Sequence, residues 1–243
     1  MSEREAGDRL GLIAGDGDLP RLAARLLRAS GRLAGTIAFH GVTDEAVERE
    51  AAPVRWLALG ELGAAIESLH GFGVRAVLLV GGLPKRALYR EQDGAREAVA
   101  FDATARRLLG EATSWSDDAL FRALAGFLEG QGLAVARQDR ALAALLAGPG
   151  DFSRRTPTRD ERNDVAFGRD ALAAIAQAGI GQCVVVRRGC IVAVEAVEGT
   201  DEAIRRAGRL AGPGCVVVKG RRAGQDPRFD LPAVGPGTIA AMV

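Results

Sequence analysis

The sequence predicts an α/β protein, and two observations support this fold class. Short apolar runs alternate with stretches of helical spacing in both halves of the 243 residues, a pattern typical of parallel sheets covered by helices. A segment with two prolines and a glycine, 149–160, separates two complete sets of such runs. We therefore expect a Rossmann-like parallel-sheet domain over 1–148, a linker over 149–164 and a smaller C-terminal catalytic α/β domain over 165–243.

Composition and charge exclude several classes of protein. Apolar residues make up 48% of the chain and charged residues 26%, as in ordinary globular proteins. A net charge of +1 gives no electrostatic basis for a nucleic-acid partner. The sequence shows no signal peptide and no apolar run of the ~20 residues that a membrane helix needs, so we expect a cytoplasmic protein. Cys183, Cys190 and Cys215 lie in apolar runs without the close pairs of a zinc site, which predicts three buried thiols.

The N-terminal elements follow in strand–helix order. The apolar run 10–14 predicts the first strand, and Pro20 suits the first turn of the helix that follows. Further strands are predicted over 35–39, 54–59, 75–80 and 133–136, with helices over 60–69, 98–110 and 117–128.

A glycine turn follows the first predicted strand and is a candidate ligand contact. Gly15, Asp16 and Gly17 form this turn, and Asp18 is placed to cap the next helix. Such a turn brings backbone N–H groups and a helix N-terminus to an anion. We expect contact with a nucleotide or sugar, against the alternative of a bare tight turn.

Two further candidates lie later in this half. Gly82 ends the strand 75–80, ahead of a basic pair that suits either phosphate or solvent. Asp117 and Asp118 begin a predicted helix, where carboxylates suit the helix dipole or a bound ligand.

The C-terminal half carries acidic residues after one apolar run. The runs 183–187 and 190–197 predict a hairpin. Glu195 lies within the second run, and a buried carboxylate requires a cation or a hydrogen-bonding partner. The residues that follow are Glu198, Gly199, Thr200 and Asp201, with Thr200 predicted as the N-cap of a helix.

A basic run follows the next predicted strand, 214–218, which we expect to neighbour the strand 190–197. The run contains Lys219 and Arg228, and it ends at Asp230 between stiffening prolines. Cations bind phosphate oxygens and carboxylates hold a divalent metal, so this combination favours phosphate chemistry. A loop of mutual salt bridges is the alternative.

Several phosphohydrolase designs are excluded by the sequence. There are only two histidines, His40 and His70, and we find no phosphate-binding loop of Gly-x4-Gly-Lys-Ser/Thr type and no Gly-x-Ser-x-Gly elbow. A metal held by carboxylates and water would be Mg²⁺, or Mn²⁺, rather than zinc. The candidate ligands are Asp230, Glu198 and Asp201.

Four motifs occur in order along nearly the whole chain: Gly11-Leu-Ile-Ala-Gly-x-Gly-x-Leu-Pro20, Asp117-Asp118-Ala-Leu, Ala193-Val-Glu-Ala-Val-Glu-Gly-Thr-Asp201 and Asp230-Leu-Pro-x-Val-Gly-x-x-Thr238. Together they resemble the LpxI family, the UDP-2,3-diacylglucosamine pyrophosphatases of lipid A biosynthesis. Members of that family commonly continue beyond the helix that begins near Thr238, so a final strand and helix are expected to be missing here.

The resemblance implies a function. It implies Mg²⁺-dependent hydrolysis of UDP-2,3-diacylglucosamine to UMP and 2,3-diacylglucosamine 1-phosphate (lipid X), by homodimers whose two domains hold the substrate. It also implies transient contact with the surface of the inner membrane through the acylated substrate. Asp230 matches the family's essential aspartate and Gly17 falls in its first glycine turn, while its acidic motif matches Glu195, Glu198, Thr200 and Asp201.

The expected mechanism assigns a role to each candidate. Asp230, with Glu198 or Asp201, would hold Mg²⁺ at the pyrophosphate, and water would attack one phosphorus; which phosphorus is attacked stays open. Lys219 and Arg228 stabilise charge on the equatorial oxygens, and Glu195 is the fourth catalytic candidate. Two alternatives are a nicotinamide-dependent oxidoreductase and a non-catalytic regulator that binds a nucleotide sugar. The residues expected at the substrate are Gly15, Asp16, Gly17, Gly82, Asp117, Asp118, Gly199 and Thr200.

Overall fold

A computed structural model describes residues 9–51, 53–82, 99–112, 114, 117–221, 225–229 and 231–243, with the backbone alone for residues 117, 118, 176 and 177. These residues form an α/β structure with a five-stranded parallel sheet and a smaller antiparallel sheet, which confirms the predicted fold class. Among them, no helix combines the length and the apolar character needed to cross a bilayer.

The described residues pack as two compact units. Unit 1 comprises Met1–Leu146 and Asp226–Leu231, and unit 2 comprises Ala147–Gln225 and Pro232–Val243. The segment Asp226–Leu231, which we name the strap, therefore packs with residues that precede it in the sequence by about 80 positions or more. It carries part of the predicted basic run and the position of Asp230.

The sheet of unit 1 contains five parallel strands in the order β3-β2-β1-β4-β5. In sheets of this order, ligands bind beyond the carboxyl ends of the strands, at the point between β1 and β4 where the connections change direction. The second strand is buried along its whole length, as expected for a strand covered on both faces. The strands are β1 Leu10–Ala14, β2 Leu33–Phe39, β3 Val54–Leu57, β4 Ala76–Val80 and β5 Ala134–Val135.

Helices cover both faces of this sheet. Because side chains alternate along a strand, Val77 and Leu79 of β4 pack into one core and Leu78 and Val80 into the other. The helices of unit 1 are α1 Leu19–Ala29, α2 Val47–Glu50, α3 Leu62–Gly71, α4 Ala103–Glu111, α5 Asp117–Gly130 and α6 Gln138–Ala141, and a 3₁₀ turn follows at Ala143–Leu145.

One predicted helix begins later than expected. The spacing predicts a helix over 98–110, but α4 begins at Ala103. The carboxylate of Asp102 accepts a hydrogen bond from the Ala105 N–H at 2.7 Å and so caps the helix.

Unit 2 is a three-stranded antiparallel sheet between two helices. The order is β7-β6-β8, so the prediction that the runs 190–197 and 214–218 are neighbours is wrong: both strands pair with β6, on opposite sides. The predicted hairpin is present, although β7 ends at Val194 rather than Val197. The elements are α7 Arg159–Gln177, β6 Cys183–Arg187, β7 Cys190–Val194, α8 Thr200–Ala211, β8 Val216–Lys219 and α9 Pro236–Ala241.

Candidate functional site

The glycine turn after β1 is locked to the turn after β4. The Asp16 N–H donates to the Gly82 carbonyl at 2.9 Å, and the Gly82 N–H donates to the Asp16 carbonyl at 3.1 Å. A side chain on Gly15 would begin 2.5 Å from the Gly82 carbonyl oxygen, so this close approach requires glycine. The structure thus brings Gly15, Asp16 and Gly82 together at the carboxyl edge of the sheet.

The start of α1 differs in detail from the expectation. Gly17 has φ +94° and open space around its Cα, and its N–H donates to the Asp16 carboxylate at 2.7 Å. Asp18 occupies the N-cap position, but its side chain makes no capping hydrogen bond, so its predicted capping role is wrong. Pro20 lies in the first turn, as predicted.

An apolar pocket lies at the same edge of unit 1. Its empty volume is about 1010 Å³, part of it open to solvent, and all of its lining residues are apolar or glycine. Gly15 and Gly81 contribute from the two turns, and the pocket extends between α3, α4 and α5. Side chains that line it include Phe39, Leu62, Ala105, Leu108, Phe121 and Leu124. Sequence reasoning missed this pocket, because its residues are spread over six elements and each reads as ordinary core.

The strap is anchored to unit 1 beside this pocket. Phe229 is only 4% exposed, and its ring stacks on the pocket residue Phe121 with the ring centroids 5.2 Å apart. Arg228 forms ion pairs with Asp226 at 2.7 Å and with Glu129 of α5 at 2.6 Å. Hydrogen bonds from Arg228 lower the pKa of Asp226 more than burial raises it.

Gln138, at the start of α6, completes the anchorage. Its backbone N–H donates to the Pro227 carbonyl at 2.9 Å, and its side-chain oxygen accepts from the Leu231 N–H at 3.1 Å. Neither Gln138 nor Phe229 was predicted as a site residue. The sequence could have identified Phe229 as a site residue, because it immediately precedes Asp230 in the chain. No sequence pattern identifies Gln138, because the burial of a glutamine cannot be read from the sequence.

The side chains of three predicted site residues are not described. Asp230 lies outside the described residues. Asp117 and Asp118 begin α5, but only their backbone is described.

A polar cluster in unit 2 contains three of the predicted residues. The buried carboxylate of Glu195 accepts from the Thr200 hydroxyl at 2.8 Å and from the Gln182 N–H at 3.3 Å. The Lys219 ammonium donates to the Thr200 oxygen at 3.0 Å. The hydrogen-bonding partners that burial of Glu195 requires are therefore present.

The position of Thr200 corrects its predicted role. Gly199, with φ +86°, is the N-cap of α8, and Thr200 is the first helical residue. The Thr200 hydroxyl is therefore directed to Glu195 and Lys219 rather than to the helix backbone.

The other acidic residues of the motif have different surroundings. Glu198 pairs with Arg206 at 2.6 Å. Burial opposes ionisation of Glu198, but hydrogen bonds from the backbone and from Arg206 outweigh it and lower the pKa of this carboxyl. Asp201 lies in the first turn of α8.

The described carboxylates do not assemble a metal site by themselves. Among the described residues, no group of three or more His, Cys, Asp or Glu side chains is arranged to hold a metal ion. Their oxygen donors suit Mg²⁺ in kind, but Glu198 is already neutralised by Arg206.

The cysteines correct another expectation. Cys183 is buried, but Cys190 is exposed and Cys215 is half-buried, so the prediction of three buried thiols holds for Cys183 alone. Burial and the charge of Glu195 raise the pKa of Cys183 to about 12, against the opposing charge of Lys219. This thiol is consequently protonated at neutral pH.

The parallel sheet and the pocket at its carboxyl edge define an α/β protein with the features of a small-molecule binding site. The chain belongs to the LpxI family: the LpxI N-terminal domain matches residues 9–145 and the LpxI C-terminal domain matches residues 148–243. Family membership inferred from the motifs is thereby confirmed. The UDP-2,3-diacylglucosamine pyrophosphatase LpxI of Caulobacter vibrioides is 28% identical over 242 residues, a match that covers 95% of this chain and 83% of that protein.

Proposed function

We propose that this protein hydrolyses the pyrophosphate bond of UDP-2,3-diacylglucosamine, releasing UMP and 2,3-diacylglucosamine 1-phosphate. The observation that carries the proposal is the apolar pocket at the carboxyl edge of the parallel sheet, in a member of the LpxI family. The relative from Caulobacter vibrioides is named for this substrate.

The chemistry of the pocket favours a lipid. Each methylene group of an acyl chain gains about 0.8 kcal/mol on leaving water, and the lining supplies apolar side chains to receive it. A base or a ribose placed there would lose its hydrogen bonds to water, which costs free energy when no partner replaces them. At the same edge, the open space beside Gly17 in the first glycine turn lets a sugar approach the backbone.

The polar cluster supplies charge for the phosphates. An ammonium has three donors, and the hydrogen bond to Thr200 engages one donor of Lys219. Glu195 fixes the Thr200 hydroxyl and, through it, the orientation of Lys219. A cation held in this way stabilises the charge that develops on the phosphate oxygens in the transition state.

The residues of the strap complete the assignment. Asp230 accepts a proton from the attacking water. The water oxygen forms a new P–O bond as the bridging P–O bond of the pyrophosphate breaks. Arg228 stabilises phosphate charge in this proposal and also holds the strap to Glu129.

We assign Mg²⁺, with Mn²⁺ as an alternative, to the reaction. Mg²⁺ is commonly bound by one or two carboxylates together with substrate phosphates, so the ligands in this proposal would be Asp230 with Asp201 or Glu198. When bound, the ion neutralises the pyrophosphate charge.

The test is release of UMP by the purified full chain. We expect turnover of UDP-2,3-diacylglucosamine with Mg²⁺, none in EDTA, and at least tenfold lower kcat/KM for the analogue without acyl chains. Binding of the substrate without UMP release would instead support the non-catalytic regulator. Equal kcat/KM for both substrates would contradict the lipid role of the pocket.

Two properties of the assembly are part of the proposal. We propose a homodimer, and contact with the membrane surface through the acylated substrate. Light scattering after gel filtration tests the first, and sedimentation with vesicles that contain the substrate tests the second.

A further inference from the structure

The buried side chain of Gln138 connects two separate parts of unit 1. It is 4% exposed. Its side-chain nitrogen donates to the Leu79 carbonyl of β4 at 2.6 Å, and its oxygen accepts from the Leu231 N–H of the strap at 3.1 Å. One amide group therefore joins strand β4 of the sheet to the strap.

Gln138 contacts the strap on both sides of residue 230. Its backbone N–H donates to Pro227, three residues before Asp230, and its side chain accepts from Leu231, one residue after it. Between these contacts, Phe229 is anchored on Phe121. Residues on both sides of position 230 are therefore anchored within unit 1.

The amide is well matched to this task. One end of the group must donate to a carbonyl and the other must accept from an N–H, and a carboxamide has both capacities. An ionised glutamate at position 138 would place a carboxylate against the Leu79 carbonyl. A methionine has nearly the same length but cannot reproduce either hydrogen bond.

We propose that Gln138 is a positioning residue for the reaction, which holds the strap to β4 in the arrangement that turnover requires. The inference rests on the proposed function, in which Asp230 acts on the water. The alternative is that Gln138 only stabilises the packing of α6 on β4.

The test compares Gln138→Met with Val47→Ala in the full chain. Val47 is fully buried in α2, which packs against α1, so its truncation destabilises unit 1 without touching the strap. We expect Gln138→Met to lower kcat by about 10- to 100-fold, because displacements near 1 Å have effects of this size, with KM changed less than threefold. Val47→Ala should keep kcat within about twofold at a similar Tm.

A second variant separates positioning from packing even if Gln138→Met folds poorly. In Gln138→Glu, a protonated carboxyl group again offers a donor and an acceptor, and burial favours that neutral form. We expect kcat of this variant, divided by wild-type kcat at the same pH, to rise at least fivefold as pH falls from 8 to 5.5. A ratio that stays constant with pH in the folded variant would overturn the proposal.

The two proposals fail in distinguishable ways. An active Asp230→Ala protein would refute the role of Asp230 and the positioning role with it. An inactive Asp230→Ala protein together with a Gln138→Met protein that matches Val47→Ala in kcat would refute the positioning role alone.

Discussion

The carboxyl edge of unit 1 and the polar cluster of unit 2 differ in the chemistry of their side chains. At the edge of unit 1, two glycine turns hydrogen-bond to each other beside a pocket whose lining side chains are apolar. In unit 2, Glu195, Thr200 and Lys219 satisfy one another. The first region has room for a ligand, whereas the second has charges already in place. The two regions therefore offer different chemistry to a ligand, which is apolar contact in unit 1 and a cation held by hydrogen bonding in unit 2.

The largest expected effect tests whether the strap contributes a catalytic residue or only stabilises unit 1. Asp230→Ala should lower kcat by three orders of magnitude or more and leave KM nearly unchanged, since the lost carboxylate acts mainly in the transition state. Its Tm should stay close to wild type, because Phe229 and Gln138 still anchor the strap. Turnover within about tenfold of wild type, roughly 1.4 kcal/mol of barrier, would refute the assignment.

The next effect tests the charge of unit 2. Lys219→Met should lower kcat by about 10²–10³-fold, the usual result of removing one donor to a developing oxyanion. Arg209→Met is the matched control, because Arg209 is an exposed cation in the last turn of α8, and it should retain wild-type kcat. Similar kcat values for both variants would mean that Lys219 serves the fold alone.

A smaller effect tests the lipid role of the pocket. Ala105 is 6% exposed and lines the pocket from α4. We expect Ala105→Phe to fill part of this space and to raise KM for the natural substrate about tenfold, since about two methylene groups lose their place at roughly 0.8 kcal/mol each. Substrates with shorter acyl chains should recover the loss. An equal rise in KM for every chain length would point to general disruption.

The smallest effect concerns the acid stability of the strap. The pKa of Asp226 is lowered by its hydrogen bonds to Arg228, so this pair stabilises the fold above the unfolded pKa of about 3.9. The contribution is lost as pH falls through the lower folded pKa. Arg228→Met should therefore reduce Tm by about 2–4 °C at pH 7, and the two Tm values should converge below pH 4. A difference that does not change with pH would exclude this ion pair as its cause.

Local patterns predicted the fold better than the contacts of the site. The order of strands and helices in unit 1 follows from alternation of apolar runs, because each run is long enough to reveal its period. The run 190–197 and the strand β8 were expected to be adjacent, but strand order in an antiparallel sheet depends on pairing that no single run encodes. Cys190 was predicted to be buried but is exposed. It lies in β7, an edge strand of the sheet, and an apolar run does not show whether its strand lies at an edge.

The candidate site residues that the sequence identified lie in short motifs next to predicted strands. Glu195, Thr200 and Lys219 meet because the acidic motif and the basic run both adjoin strands that pair with β6. Gln138 and the pocket escaped prediction because they depend on contacts between distant segments. The hydrogen bond from Leu231 to Gln138, for example, spans 93 residues.

Ribosomal synthesis separates unit 1 from its strap in time. Between Leu146 and the strap, the 79 residues from Ala147 to Gln225 must be translated, which takes roughly 4–16 s at typical rates of ~5–20 residues per second. Throughout this interval, the nascent sheet lacks the partner of Phe121 and the acceptor and donor groups that the strap offers to Gln138. Docking of the strap is therefore a late folding step, and a chain released early would carry the pocket without the carboxylate proposed for catalysis.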